Sequence, residues 1–203
     1  MKGSFGFTPA ELRSLRALDA PWKIQAFLDR HPYHLADTAW SPRRVLREKS
    51  AHCLEGAIFA AAALRVNGHP PLILDLEAVN DTDHVIAVYR QNGAWGSIAS
   101  SNYSTCRGRS PVYRTLRELA VSYFEGYFNL RAERTLRTFS KPIDLSRFDR
   151  RGWMTSEEPL WYIAEHLFDV PHTKLLTPSM EKSLRRLDRR SFEAGLYGRR
   201  TKT

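Results

Sequence analysis

The apolar positions of this chain change their period partway along. Near the N-terminus they recur at helical spacing. "TPAELRSLRAL" offers Thr8 as N-cap, Pro9 at the first helical position and Glu11 three residues after the cap, the pattern of a capping box. "APWKIQAFLDRH" sets Trp22, Ile24, Phe27 and Leu28 on one face, and "SPRRVLREK" repeats the Ser-Pro start at Ser41. "HPYHLADTAW" between them reads as loop. From Cys53 to Val66 almost every position is apolar, and Leu54, Ile58, Ala61, Ala62 and Leu64 keep to no single stripe. A helix apolar nearly all round belongs inside a domain. Asn67-Gly68 supplies left-handed residues for its end.

The period then falls to two. "PLILDLEAV", "HVIAVYR" and "AWGSIAS" are short and β-branched, joined by "NDTD" and by a "QNG" hairpin turn, and predict an antiparallel meander. "SSNYSTCRGRSP" reads as loop and "TLRELAVSYFEGYF" as a helix across the sheet. Beyond Asn129 the pattern weakens. "LRTFSKPIDLSRFDRRGW" reads as connecting chain, "SEEPLWYIAEHLF" as a helix capped by Ser156, and "TPSMEKSLRRLDRRSFEAGLY" as one last helix opened by Thr-Pro. The expected fold class is α+β, a buried helix packed on an antiparallel sheet with helical flanks. The expected layout is one domain over 1–203: N-terminal helices in 1–48, a core in 50–128 and a helical C-terminal extension in 129–203 with a basic tail.

Composition narrows the function classes. The chain has 203 residues and two cysteines, too few for a disulfide framework. "MKGSFGFTPAELRSL" lacks the apolar centre of a signal peptide, and no apolar run approaches the roughly 20 residues of a membrane span. The expectation is a soluble, cytoplasmic protein. The net charge is +9, and Ser179–Thr203 carries eight basic residues against three acidic ones, a net +5. Arg and acid alternate there, which suits a solvated terminal helix better than a nucleic-acid surface, so nucleic acid is not an expected partner. No P-loop, dinucleotide fingerprint or zinc-finger spacing occurs, and His31 with His34 is one histidine pair without a second. No cofactor or metal is expected. Tyr103, Tyr113, Tyr123, Phe124, Tyr127 and Phe128, with Trp153 and Trp161 further on, read as core or as the wall of a substrate pocket.

The chemistry centres on Cys53 at the start of the buried helix. A helix N-terminus favours negative charge and lowers a thiol's pKa. His84 opens the second strand and can take the proton. Strand alternation puts His84, Ile86 and Val88 on one face, so the pair meets if that face packs on the Cys53 helix. Glu55, about 200° round the helix from Cys53, reads as serving the helix N-terminus; His52 reads as a cap or a second proton acceptor. Cys106 lies in the basic loop "STCRGRSP", so Arg107 and Arg109 are expected to lower its pKa, and a Cys53–Cys106 disulfide follows if the loop folds over the site.

From Ser50 to Asn102, about a quarter of the chain, the sequence resembles the transglutaminase-like superfamily, circularly related cousins of papain-type cysteine proteases. "SAHCLEGAIFAAAALRVNGHPPLIL" looks like its nucleophile helix and first strand, and "DHVIAVYRQNGAWGSIAS" like its histidine strand, hairpin and Trp-initiated strand. The resemblance implies Cys53 as nucleophile, His84 as base and a peptide, protein or small amide substrate passing through an acyl-enzyme. The departure is the third residue. Where the family has Asp in "W-x-x-x-D", Trp95 is followed by Ala99, and no acid occurs between His84 and Glu118. Asn102, then Ser101, are the candidates to orient the imidazole; alternation turns Ser100 the other way from Ala99. Without the acid, two readings stay open: a hydrolase or acyltransferase, and a catalytically inactive domain that binds a protein or peptide.

Overall fold

The computed structural model describes residues 3–201. Three of the first four helices open on proline: α1 (Pro9–Arg16), α2 (Pro21–Asp29) and α3 (Pro42–Glu48). Proline is at ease there, because its fixed φ is helical and its missing N–H would have had no partner. The capping box forms, with the Thr8 N–H donating to Glu11 at 2.7 Å. In α2, Ile24 and Leu28 are buried, but Trp22 is 68% exposed and does not share their face. Helix α4 (Cys53–Val66) is buried at every residue except Cys53 and Arg65. Gly68 alone turns left-handed after it, at φ 93°. Asn67 stays at φ −95°, and its side-chain amide reaches the Leu15 and Leu18 carbonyls at 3.0 Å, tying α4 to the end of α1.

The meander follows as β1 (Leu72–Ala78), β2 (His84–Gln91) and β3 (Ala94–Ile98), and Asn92-Gly93 makes the two-residue hairpin turn with both φ positive. The next segments depart from expectation. The span read as loop runs into β4 (Arg109–Tyr113), which pairs with β3. Helix α5 (Leu116–Val121) is short, and Phe124–Gly126 forms a separate 3₁₀ turn. Gly126 lies so close to Thr105 that a Cβ on it would meet the Thr105 Cβ at 2.5 Å.

The largest correction concerns 129–203, which is not a helical extension. It supplies β5 (Leu136–Ser140), β6 (Ile143–Asp144), α6 (Trp161–Asp169), β7 (His172–Lys174), α7 (Pro178–Ser183) and α8 (Arg189–Gly195). The sheet runs β4-β3-β2-β1-β5-β7, with β6 on the other part of β1, and every pairing is antiparallel. Strand β5 hides its alternation because the register slips opposite Glu77 and Ala78, so Leu136 and Phe139, three apart, are both buried. Helix α6 starts at Trp161, since the Ser156 hydroxyl accepts the Glu158 N–H in a local turn instead of capping a helix. The last helix is two: Leu184–Leu187 breaks it, and Asp188 caps α8 through Ser191. Of the basic tail, Lys202 lies outside the described residues.

Each face of the sheet carries its own core. Ile73, Val85 and Ala87 pack with α4, the N-terminal helices and Ile163 and Leu167 of α6. Leu74, Leu76, Ile86 and Val88 pack with Leu119, Tyr123 and Tyr127. Among the described residues no helix is long and apolar enough to cross a membrane.

Candidate active site

Cys53 is the first residue of α4, and His84 the first residue of β2. Their meeting is not the one strand alternation suggests. α4 packs on the face of Val85 and Ala87, whereas His84 turns to the other face, its ring 6.3 Å from those of Tyr123 and Tyr127. The two groups meet where both elements begin. The Cys53 sulfur lies 3.9 Å from the carbonyl oxygen of Asp83, immediately before His84, and Cys53 and His84 line one cleft. Close packing fixes this junction: a Cβ on Gly56 would meet that of Ser100 at 2.5 Å, and the Ser100 hydroxyl donates to the Ala51 carbonyl at 2.9 Å.

The His84 Nε2 lies 2.9 Å from the backbone carbonyl oxygen of Cys106. A carbonyl only accepts, so Nε2 carries the hydrogen and Nδ1 keeps the lone pair for the thiol. The orienting group is therefore main chain. Asn102 does not reach His84: its amide donates to the Arg200 carbonyl and accepts the Arg200 N–H, at 2.9 and 2.8 Å, holding the C-terminal segment. Ser101 accepts the Tyr103 N–H at 3.0 Å. Both line the cleft, but neither touches the imidazole, because the chain after β3 turns away before returning at Cys106.

The Cys53 thiol is held well below its ordinary pKa. Burial opposes ionisation, but His52 and His84 hydrogen-bonded to the sulfur outweigh it. Cys106 behaves oppositely to its expected reactivity: burial pushes its thiol up to about 12. Arg109 is spent on the Thr105 and Arg107 carbonyls and on Ser122, and Arg107 pairs with Asp29. Both cysteines are free thiols. Asp75 is buried near Cys53, 3.3 Å from His172; burial and then the charge of Asp83 raise its carboxyl to about 7.

Glu55 anchors the N-terminal segment to the helix start. It is fully buried and accepts the Thr38 hydroxyl at 2.5 Å, the Trp40 N–H at 3.0 Å and the His52 N–H at 3.2 Å, with His34 Nδ1 at 3.0 Å. This brings in groups that sequence reading left as loop: His34, stacked on Trp40, and Tyr33, whose hydroxyl lies against Cys53. Burial raises the Tyr33 pKa, so the hydroxyl stays a neutral donor. The pairing "Tyr33…Ala51" that carries these residues past Cys53 is one isolated parallel bridge with no periodic signal.

A cleft of about 1070 Å³ opens over Cys53. One wall is the Tyr33–Asp37 loop with Trp161 and Phe168 of α6; the other is Asn80–His84 with Tyr103, Tyr127 and Phe128. Trp153 is buried in the core and takes no part in the cleft. Tyr127 also fixes the approach to His84, its hydroxyl donating to the Thr82 carbonyl at 2.8 Å. Compared with known proteins, the chain matches no family model and no curated sequence significantly.

Proposed function

We propose that the protein is a thiol-dependent acyl hydrolase or acyltransferase of transglutaminase-like kind, acting on an amide or peptide carbonyl in the cleft. The observation that carries this is the junction of α4 and β2: an ionisable thiol at a helix start, beside an imidazole whose far nitrogen is fixed by the Cys106 carbonyl. The Cys53 thiolate attacks the carbonyl carbon, forming the C–S bond and moving an electron pair onto oxygen. The Cys53 N–H at the helix N-terminus and the Tyr33 hydroxyl beside it are the donors at hand for that oxyanion. Collapse breaks the C–N bond, and the leaving amine takes its proton from His84. Water or an acceptor amine then attacks the thioester, gives its proton to His84 and releases Cys53 as thiolate. Both outcomes use the same residues. The second reading, a peptide-binding module without catalysis, is favoured by one observation: His84 is oriented by a neutral carbonyl in place of a carboxylate.

An activated ester tests the choice. Cys53 should alkylate rapidly with iodoacetamide below pH 7, and mass spectrometry should find an acyl adduct on Cys53 that turns over. His84→Ala should lose about 10²- to 10⁴-fold in turnover. An alkylation profile of an ordinary thiol, midpoint ~8.5, or turnover unchanged in His84→Ala, refutes the enzyme reading.

A further inference from the structure

The chemistry just described uses one imidazole, yet the Cys53 sulfur has two. His52, the residue before it, sets its ring Nε2 2.6 Å from the Thr38 carbonyl oxygen. By the argument applied to His84, that nitrogen carries a hydrogen, and Nδ1 is the one left for the sulfur. His52 lines the cleft beside Cys53, and the neighbouring thiol is among the groups that favour its charged form. The two rings differ in what stands behind them. The Glu55 carboxylate, fully buried, is 3.5 Å from His52 Nε2. Behind His84 are a peptide carbonyl and two tyrosine rings.

A buried carboxylate favours the charged imidazole. Burial pulls the His52 pKa down, but Cys53 and Glu55 lift it to about 8. The other titratable groups around this pair are few. His34 stacks at 6.0 Å from the His52 ring and shares Glu55. Tyr33 lies against Cys53 and near Glu55. From the sheet, His84, Asp75 and Asp83 act on Cys53.

We infer, resting on Cys53 as the nucleophile, that His52 is a positioning residue that stays protonated as the counter-ion of the thiolate, while His84 alone exchanges protons with substrate. With Glu55 balancing His52, the thiolate keeps a cation beside it at pH values where His84 has lost its proton.

The test compares iodoacetamide alkylation of Cys53 across pH 5.5–9 in wild type, His52→Gln and His84→Gln, with ester turnover alongside. Glutamine keeps a donor for the Thr38 carbonyl but carries no charge. His52→Gln should move the alkylation midpoint up by about one unit, roughly tenfold slower at pH 6, with turnover restored at high pH. His84→Gln should lose turnover at every pH. A His52→Gln profile superimposed on a rapid wild-type profile overturns the inference and leaves the nucleophile reading intact; an ordinary-thiol profile in wild type overturns both. The imidazole of His52 in the folded wild type is a second readout by nuclear magnetic resonance. It should titrate near 8 and fall in Cys53→Ala; a ring neutral at pH 7 overturns the inference.

Discussion

The two sides of the Cys53 sulfur are built from different materials. On the N-terminal side, His52 is held by a carbonyl, but a buried carboxylate organises the whole surround, gathering Thr38, Trp40, His34 and the helix start. On the sheet side, His84 is held by main chain alone, placed by the path of the loop from Ser101 to Arg109. A support made of a side chain can be deleted by one substitution. A support made of backbone can only be displaced, through whatever packs against the loop.

That contrast is broken most severely at Glu55. Glu55→Ala leaves three half-buried donors without a partner and should cost about 3–5 kcal/mol, seen as a lower urea midpoint; a loss under ~1 kcal/mol would mean the carboxylate does not organise this side. The sheet side is reached through Gly126→Ala. A methyl there meets Thr105 and must push the segment carrying the Cys106 carbonyl, at a cost of about 1–3 kcal/mol. Turnover should fall while the alkylation midpoint, which His52 still holds down, moves less than in His52→Gln; a shifted midpoint with full turnover would reverse the assignment of the two sides. The smallest effect is expected at Asn102→Ala and Ser101→Ala. Neither touches His84, so alkylation rates should stay within about twofold, the scale of ±0.5 kcal/mol for substitutions away from key contacts. A large loss at Asn102 would restore it as the orienting residue.

Sequence reading succeeds here where one segment decides its own structure. Thr8, Pro9 and Glu11 sit within one turn, the apolar run from Leu54 needs burial whatever surrounds it, and Asn92-Gly93 fixes a hairpin locally. It fails where pairing is distant. Leu136–Ser140 becomes a strand because β1 has a free edge some 60 residues earlier, and a slipped register erases the alternation that would have announced it. The candidate site divides the same way. Cys53 and His84 are legible from a helix start and a strand start. Tyr33, His34 and Thr38 are not, since a loop of polar and aromatic residues gives no period, and Glu55, correctly read as serving the helix start, is the only visible sign that something must cover it.

The Cys106 carbonyl has a genetic consequence. Every residue offers the same peptide oxygen, and only proline and glycine change the backbone that aims it, so position 106 can change identity without erasing the group that orients His84. A library scored for loss of activity would report Cys53 and His84 and stay silent at the third position. A search for a cysteine, a histidine and an acid in fixed order would pass the chain over. What such a protein must preserve is the course of a loop, written in its neighbours: the close seat of Gly126, the Arg109 guanidinium on the Thr105 carbonyl, and the Tyr127 hydroxyl on the turn before His84.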